Sequence, residues 1–163
     1  MNIREDLEKG KEGEDKVERL LKTIGIESEK NKDKKNLKYW DIKSKTKDSI
    51  EFKIEVKNDI MAKTTGNIAI EVGNPKSGKE TGINVTKSDI WVQVIGDELW
   101  ACKSKDLKNF IKKNKAFKTI KYAGDGNATI LLYKMQEILP AIFIPISELS
   151  QKHLADTIHK LII

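Results

Sequence analysis

The chain has little of the chemistry that cysteine and aromatic residues provide. Cys102 is the only cysteine, and Phe, Trp and Tyr together make up 6% of the 163 residues. A single cysteine excludes a disulfide framework and a cysteine-based zinc cluster, and it fits a reducing compartment. We expect Cys102 to be a small buried hydrophobic residue, in a small core beneath a heavily solvated surface.

Long apolar runs are also missing. No stretch approaches the roughly 18 to 20 apolar residues that a membrane-spanning helix needs, and the first residues are charged rather than signal-like. We therefore expect a cytoplasmic protein with no membrane partner. With 38% apolar residues, the chain can build one core, so we predict a single domain over residues 1–163.

Acidic residues are outnumbered by basic ones. The 31 Lys and Arg residues exceed the 25 Asp and Glu residues, which gives a net charge of +6 and a pI near 9.2. A basic surface attracts phosphate backbones and gains from counterion release, so nucleic acid is the expected partner. A compositional bias or a solubility device would also explain the lysine excess. The lysines at which we expect nucleic-acid contacts are Lys34, Lys35, Lys63 and Lys87.

Apolar periodicity predicts the order of the elements. Three helices are expected. The first covers about residues 4–24 and ends at Gly25, the second runs from an N-cap at Ser104 to about Lys113, and the third starts at Ser147. The predicted strands cover about 37–43, 50–57, 67–72, 90–95, 99–102 and 129–134. The short connections between the first three strands favour a meander.

A spaced set of acids and one lysine carries the most specific signal. Apolar and polar residues alternate over 50–57, so Glu55 and Lys57 point to the same face of a half-buried strand. The preceding turn, 44–49, could place Asp41 beside Glu55. Carboxylates from separate elements bind a hard divalent cation, and a nearby lysine can serve a phosphate or a water. This pattern predicts nuclease chemistry.

The spacing leaves two alternatives open. Acid-x-Lys recurs in this lysine-rich chain, and Glu51 with Lys53 lies on the same strand face one pair earlier. We favour Glu55 because it is nearer the end of the strand, where active-site loops gather. Alternatively, the hairpin is simply exposed and its acids form weak cross-strand ion pairs with Lys43, Lys53 or Lys57.

Two further acids are candidates for the same site. Glu14 lies midway along the first predicted helix, and Glu71 lies on the third predicted strand. Glu14 could equally be a solvated helix residue that pairs with Lys11 or Arg19. For Glu71 an ordinary surface position is the simpler interpretation.

Aromatic and histidine residues indicate no additional site. Trp40, Trp91 and Trp100 each lie in an apolar strand context, so we predict core positions rather than base-stacking platforms. His153 and His159 are six residues apart on the last predicted helix, a spacing that does not align two metal ligands.

The order of these elements resembles that of the PD-(D/E)xK nuclease superfamily, and within it the small Holliday junction resolvases. The likeness lies in Gly13-Glu14, in Asp41 on the hairpin, and in Ile-Glu-Val-Lys at 54–57. Segments 66–71 and 86–91 are also similar to those of small phage nucleases. The resemblance covers about residues 10–100. Trp40 stands where the superfamily usually has a proline before the first acid.

The resemblance implies a fold and a set of roles. The fold would be a restriction-endonuclease-like α/β core, with a mixed central sheet flanked by helices in the order αβββαβ. Asp41, Glu55 and the Val56 carbonyl would hold Mg²⁺, with Mn²⁺ as a substitute, and Glu14 would complete the outer shell. Lys57 would orient or deprotonate the attacking water. Glu71 would be an additional metal-side or water-positioning acid.

The resemblance also implies a substrate and an assembly. A magnesium-dependent endonuclease that cuts branched DNA would act as a homodimer, because symmetric cutting of two strands needs two matching sites. The alternatives are a sequence-specific restriction or homing-type endonuclease and a DNA-binding protein that kept the fold without the chemistry. Retention of Asp41, Glu55 and Lys57 argues against the second alternative.

Overall fold

The computed structural model describes residues 3–163 apart from the side chains of Ile3 and Asp6, and over this range it contains five α-helices, nine strands and two short 3₁₀-helices. The helices are α1 (Ile3–Lys22), α2 (Ala62–Thr65), α3 (Ser104–Lys113), α4 (Met135–Ile142) and α5 (Gln151–Ile162). The strands are β1 (Glu27–Lys30), β2 (Ile42–Lys45), β3 (Glu51–Asn58), β4 (Asn67–Gly73), β5 (Ile90–Ile95), β6 (Glu98–Lys103), β7 (Lys118–Ala123), β8 (Ala128–Lys134) and β9 (Ile144–Pro145).

The strands form two sheets. The larger sheet has the order β1-β2-β3-β5-β6-β9 and is mixed, because β3 pairs in parallel with β5 while its other pairings are antiparallel. The smaller sheet has the antiparallel order β4-β8-β7. The expectation of a mixed α/β fold with a mixed central sheet flanked by helices is therefore confirmed.

Hydrophobic side chains pack on both faces of the larger sheet. On one face, α1 and α5 cover a core that includes Val56 and Val92. On the other face, the smaller sheet, α3 and α4 build a second core that includes Trp91 and Cys102. Strand β5 is buried on both faces, which explains why all its residues except Gln93 are apolar. Cys102 is 1% exposed, and the prediction of a small buried hydrophobic residue is confirmed.

The β2–β3 hairpin forms as predicted. Ile42 pairs with Ile54 in an antiparallel register, and the turn includes Ser49 in the left-handed region at φ 65°. Helix α1 also forms as predicted, and Gly25 follows it with φ 73°, where a glycine ends the helix without a Cβ clash. Within residues 3–163, no helix is long and apolar enough to span a bilayer.

The predicted meander is wrong. Strand β4 does not pair with β3, whose second neighbour is β5, and lies instead in the smaller sheet beside β8. Ile68 and Ile70 on β4 are fully buried in the second core, so the strand gains its burial by packing across the larger sheet rather than by extending it.

The strand predicted at 37–43 is wrong over most of its length, because β2 begins only at Ile42. Residues 34–39 form turns instead, and the Asn31 side chain holds these turns by hydrogen bonds. The Asn31 amide donates to the backbone carbonyls of Asn36 and Trp40, at 3.1 and 3.0 Å. Such side-chain to backbone bonds compete with a strand ladder.

The predicted start of the last helix is also wrong. The Ser147 hydroxyl accepts a hydrogen bond from the Leu99 N–H at 2.9 Å, so it ties the chain to β6. Helix α5 begins at Gln151 instead, and the Ser150 hydroxyl caps it by accepting from the His153 N–H at 3.3 Å.

Helix α3 has its predicted extent, but Ser104 is its first residue rather than its N-cap, and the Ser104 hydroxyl bonds that of Ser88 at 2.7 Å. Five elements were not predicted, namely strands β1, β7 and β9 and helices α2 and α4. Strands β1 and β7 have no fully buried residue, so they lack an apolar alternation. Helix α4 carries Pro140 in its interior, and a proline in a sequence normally indicates that a helix ends there.

Candidate active site

Asp41 is fixed against β3 by the backbone. Its N–H donates to the Ile54 carbonyl at 2.9 Å, and its Oδ2 accepts from the Val56 N–H at 2.7 Å. The hairpin register, continued by one residue, sets Asp41 opposite Glu55. The structure therefore brings together the two acids that the sequence singled out.

Glu55 is a buried carboxylate with one unsatisfied oxygen. The residue is 4% exposed, and its Oε1 lies 2.9 Å from the Lys57 ammonium. Its Oε2 is buried and has no hydrogen-bond partner among the described residues. A buried carboxylate oxygen without a partner is costly, and a cation is the ligand that would satisfy it.

Glu51 occupies a different environment from Glu55. It is exposed, and its Oε2 lies 3.3 Å from the Lys43 ammonium in a surface ion pair. The Lys53 ammonium lies 4.0 Å from the centre of the Trp40 ring instead of beside a carboxylate. Of the two acid-lysine pairs on this strand face, only Glu55 with Lys57 lies next to Asp41.

Burial and mutual repulsion perturb the two acids. The pKa of Glu55 is raised to about 7, mainly by burial and also by the charge of Asp41, against the opposing effect of Lys57. Burial also raises the pKa of Asp41, although the Val56 N–H counteracts it. Two neighbouring carboxylates that resist ionisation form a site in which a divalent cation would relieve the repulsion.

Lys57 is held as an ammonium. Burial lowers its pKa, but the charges of Glu55 and Asp41 outweigh that effect and raise the pKa above its usual value. The ammonium also lies 5.7 Å from the centre of the buried Trp91 ring, within the range of a cation–π contact. Lys57 is therefore positively charged at neutral pH.

A buried hydrogen-bond chain supports the Trp91 ring beneath Lys57. The Trp91 indole N–H donates to Gln93 Oε1 at 3.0 Å, and the Gln93 amide donates to Asp59 Oδ2 at 2.9 Å. Asp59 in turn accepts from the Ala69 N–H of β4 at 3.1 Å. These bonds connect the two sheets directly behind the site.

Glu14 approaches the site because α1 packs closely on β3 at Gly13. A Cβ added to Gly13 would lie 3.1 Å from Asn58 Cβ and 3.5 Å from Val56 Cγ1, so a side chain there would push the helix away. The pKa of Glu14 is raised to about 7, mainly by burial and also by the charge of Asp41, against the opposing effect of Lys30. None of the ion pairs found in the described residues includes Glu14.

Glu71 reaches the site from the smaller sheet. It lies on β4, and its charge contributes to raising the pKa values of Glu55 and Lys57. Gly82 packs against it with φ 56°, and a Cβ there would come within 2.2 Å of the Glu71 carbonyl oxygen. The structure thus places Glu71 near the acids, on an element that the predicted meander had paired with β3.

The four candidate nucleic-acid lysines do not form one patch. Lys34 and Lys35 are exposed in the turns before β2, and the Lys87 ammonium lies 4.1 Å from the centre of the Tyr39 ring in the same region. Lys63 is exposed on α2 and lies against Gly96, at the opposite end of β5 from Lys87.

Asn31 positions residues of the site, a role that no sequence pattern indicated. Its backbone N–H donates to the Asp41 carbonyl at 2.7 Å, and its side chain binds the Trp40 carbonyl, so it positions both residues. It lies in a Lys- and Asn-rich segment in which no local pattern distinguishes one asparagine from another.

Comparisons with protein-family models, curated proteins and solved structures found no match to this chain. The fold and site define a mixed α/β protein with a buried acid-lysine cluster on a β-hairpin. Among the described residues, no three His, Cys, Asp or Glu side chains converge as metal ligands. The structure brings the Asp41 and Glu55 carboxylates together, and the Val56 carbonyl stays a candidate ligand that the resemblance implies. Membership of the PD-(D/E)xK superfamily stays a prediction.

Proposed function

We propose that this protein is a divalent-metal-dependent DNA endonuclease that prefers branched DNA. The observation that carries the proposal is the buried Glu55 carboxylate, which has a partnerless Oε2, lies opposite Asp41 and contacts the Lys57 ammonium. A structural ion pair alone would not need a second, half-buried acid beside it. The basic net charge of +6 is consistent with a phosphate-rich substrate.

The residues present fit a hard cation. Carboxylate and carbonyl oxygens are the ligands that magnesium prefers, and Asp41, Glu55 and the Val56 carbonyl would supply them. Glu14 and Glu71 would act from outside this set, through the charge that they add. When bound, the cation would lower the pKa of a water and stabilise charge on the scissile phosphate.

Lys57 has the role of a fixed positive charge in this proposal. Because its pKa is raised by Glu55 and Asp41 despite its burial, the side chain remains protonated at neutral pH. It would therefore donate a hydrogen bond that orients the attacking water and offsets negative charge on the phosphate, rather than accept the proton of that water.

Cleavage of defined substrates tests the proposal. With Mg²⁺ or Mn²⁺, we expect the purified protein to cut a four-way DNA junction faster than a linear duplex of the same arm sequence, and EDTA to stop both reactions. Native mass measurement of the junction complex should give two copies of the chain, because paired cuts need two sites. Failure to cut junctions, flaps, duplex and single strands with either metal would contradict the proposal.

The affinity for a divalent cation should rise with pH up to about 7 and then level off. Glu14 and Glu55 both have pKa values raised to about 7, so below that pH the cation must displace protons from them. Each displaced proton makes the affinity about tenfold weaker per pH unit below the pKa. Calorimetric titration with Mn²⁺ across this range measures the slope.

A matched variant shows which acid releases a proton when the cation binds. Glu14→Gln removes one titrating acid and keeps the other, so the pH dependence should become shallower by about one proton. If the wild-type affinity is the same at acidic and neutral pH, the raised pKa values of these acids do not govern cation binding.

A further inference from the structure

Two aromatic side chains lie at the surface directly before Asp41. The rings of Tyr39 and Trp40 are stacked, with centroids 6.5 Å apart and an angle of 24° between their planes. Both residues are half-buried, and neither belongs to a strand. The prediction that Trp40 is a core residue is therefore wrong, whereas Trp91 is fully buried as expected. We call Tyr39 and Trp40 the aromatic platform.

The backbone, not the rings, holds the platform in place. The Tyr39 carbonyl accepts from the Lys87 N–H and from the Thr86 hydroxyl, each at 2.9 Å. The Trp40 carbonyl accepts from the Asn31 amide at 3.0 Å. Since hydrogen bonds to these carbonyl groups secure the segment, its position does not depend on the exposed parts of the two rings.

Lysines surround the platform. The ammonium groups of Lys87 and Lys38 lie 4.1 and 5.0 Å from the centre of the Tyr39 ring, and that of Lys53 lies 4.0 Å from the centre of the Trp40 ring. Within the described part of the chain, none of these three lysines takes part in an ion pair with an acid. The three ammonium groups thus lie against aromatic rings rather than against carboxylates.

Open space adjoins the tryptophan. A surface recess of about 540 Å³ is lined by Trp40 and Asn31, by the lysines Lys30, Lys32 and Lys43, and by the acids Glu18, Glu29 and Asp33. This volume is in the range of sites that hold a small ligand. A planar group the size of a nucleobase therefore has room beside Trp40.

We propose that the aromatic platform stacks unpaired DNA bases next to the phosphate that is cut. The inference rests on the proposed function and adds the substrate feature that it selects. Trp40 is the immediate neighbour of Asp41, and Lys53 is two residues from Glu55 on the same strand face. A base on the platform would therefore bring its backbone to the acid-lysine cluster, with Lys38, Lys53 and Lys87 against the flanking phosphates.

Relative strengths favour a base over the resident lysines. A cation–π contact at an exposed ring contributes a preference of about two- to fivefold, whereas a base stacked on an aromatic side chain contributes about 5- to 150-fold. An arriving base can displace the ammonium group, which then contacts phosphate. In continuous duplex the bases are already stacked on one another, so only unpaired nucleotides can use the platform.

Binding without cleavage tests the inference. In EDTA, we expect wild-type protein to bind a duplex with a single-stranded tail of about ten thymines at least about tenfold more tightly than the blunt duplex. Tyr39→Ala with Trp40→Ala should abolish this difference, so that the variant binds the tailed and the blunt duplex with equal affinity. Fluorescence anisotropy of labelled DNA measures both affinities.

Matched variants separate stacking from a general loss of structure. Phe117 is exposed and, like Tyr39 and Trp40, has a lysine ammonium over its ring, that of Lys134 at 4.6 Å, but it lies beside the smaller sheet. Phe117→Ala should bind the tailed duplex like wild type. Trp40→Phe keeps an aromatic face and should retain most of the preference, and Tyr39→Ala alone leaves the neighbour of Asp41 intact and should lose part of it.

Two results would overturn the inference. One is equal affinity of wild-type protein for tailed and blunt DNA, and the other is a double variant that keeps the wild-type preference for the tail. Neither result depends on cleavage, so the platform can fail while the protein still cuts junctions. The opposite combination is a wild-type protein that cuts no substrate and a double variant that loses the preference for the tail. That combination would support the aromatic platform and contradict the proposed function.

Discussion

Glu55→Gln should reduce metal-dependent cleavage by at least about 1,000-fold, because a cation ligand contributes several kcal/mol to phosphodiester hydrolysis. Glutamine nearly preserves the shape of the side chain but removes the charge that binds the cation and attracts Lys57. Affinity for the four-way junction in EDTA should remain within a few-fold of wild type, since DNA contacts come mainly from lysines. Single-turnover cleavage and binding in EDTA, measured on the same preparation, distinguish the two effects.

Glu51→Gln is the matched control on the same strand face. Glu51 is exposed and pairs with Lys43 at 3.3 Å, so its loss removes a surface ion pair and little else. We expect cleavage within about twofold of wild type, because such pairs contribute at most about 1 kcal/mol to stability. If Glu51→Gln is the inactive variant and Glu55→Gln is active, the cation site lies elsewhere on the hairpin.

Lys57→Met should reduce cleavage by at least about 100-fold, because a positioned donor that stabilises developing charge contributes that much. The variant should also shift the pH dependence. The Lys57 charge lowers the pKa of Glu55, so its removal raises that pKa further above its ordinary value. More of the Glu55 population is then protonated at neutral pH, and Mn²⁺ binding should require a higher pH than in wild type.

Lys43→Met is the corresponding control for the lysine. It removes the partner of Glu51 and leaves the Glu55–Lys57 pair at 2.9 Å untouched, so the pH profile of Mn²⁺ binding should not move. A Lys57→Met protein that cleaves at the wild-type rate with an unshifted pH profile would show that the Glu55–Lys57 contact is structural only.

Local patterns predicted the elements that carry the acids more successfully than the elements that surround them. Alternation over β3 identified the shared face of Glu55 and Lys57, and helical spacing identified α1. The same approach missed β1, because its side chains are polar, and misplaced β4, because hydrophobic alternation does not specify the neighbour of a strand. Pairing of β3 with β5 joins segments that are far apart in sequence, beyond the reach of a local pattern.

The aromatic segment before Asp41 was misjudged for a related reason. Tyr39 and Trp40 are apolar in sequence, and the prediction of a strand followed from that. The Asn31 amide and the Thr86 and Lys87 donors instead bind the carbonyl groups of this segment and hold it outside the sheet. Two of these donors come from a part of the chain more than forty residues away.

By itself, the sequence determined which residues of the hairpin share a face, because side-chain direction along a strand has a period of two and needs only neighbouring residues. Only the tertiary structure decided that Glu55 is buried with a partnerless oxygen, that Gly13 lets α1 bring Glu14 to Asp41, and that Glu71 arrives from a second sheet. Burial and electrostatic repulsion depend on atoms that distant segments bring together, so the chemistry of the cluster follows from packing rather than from spacing.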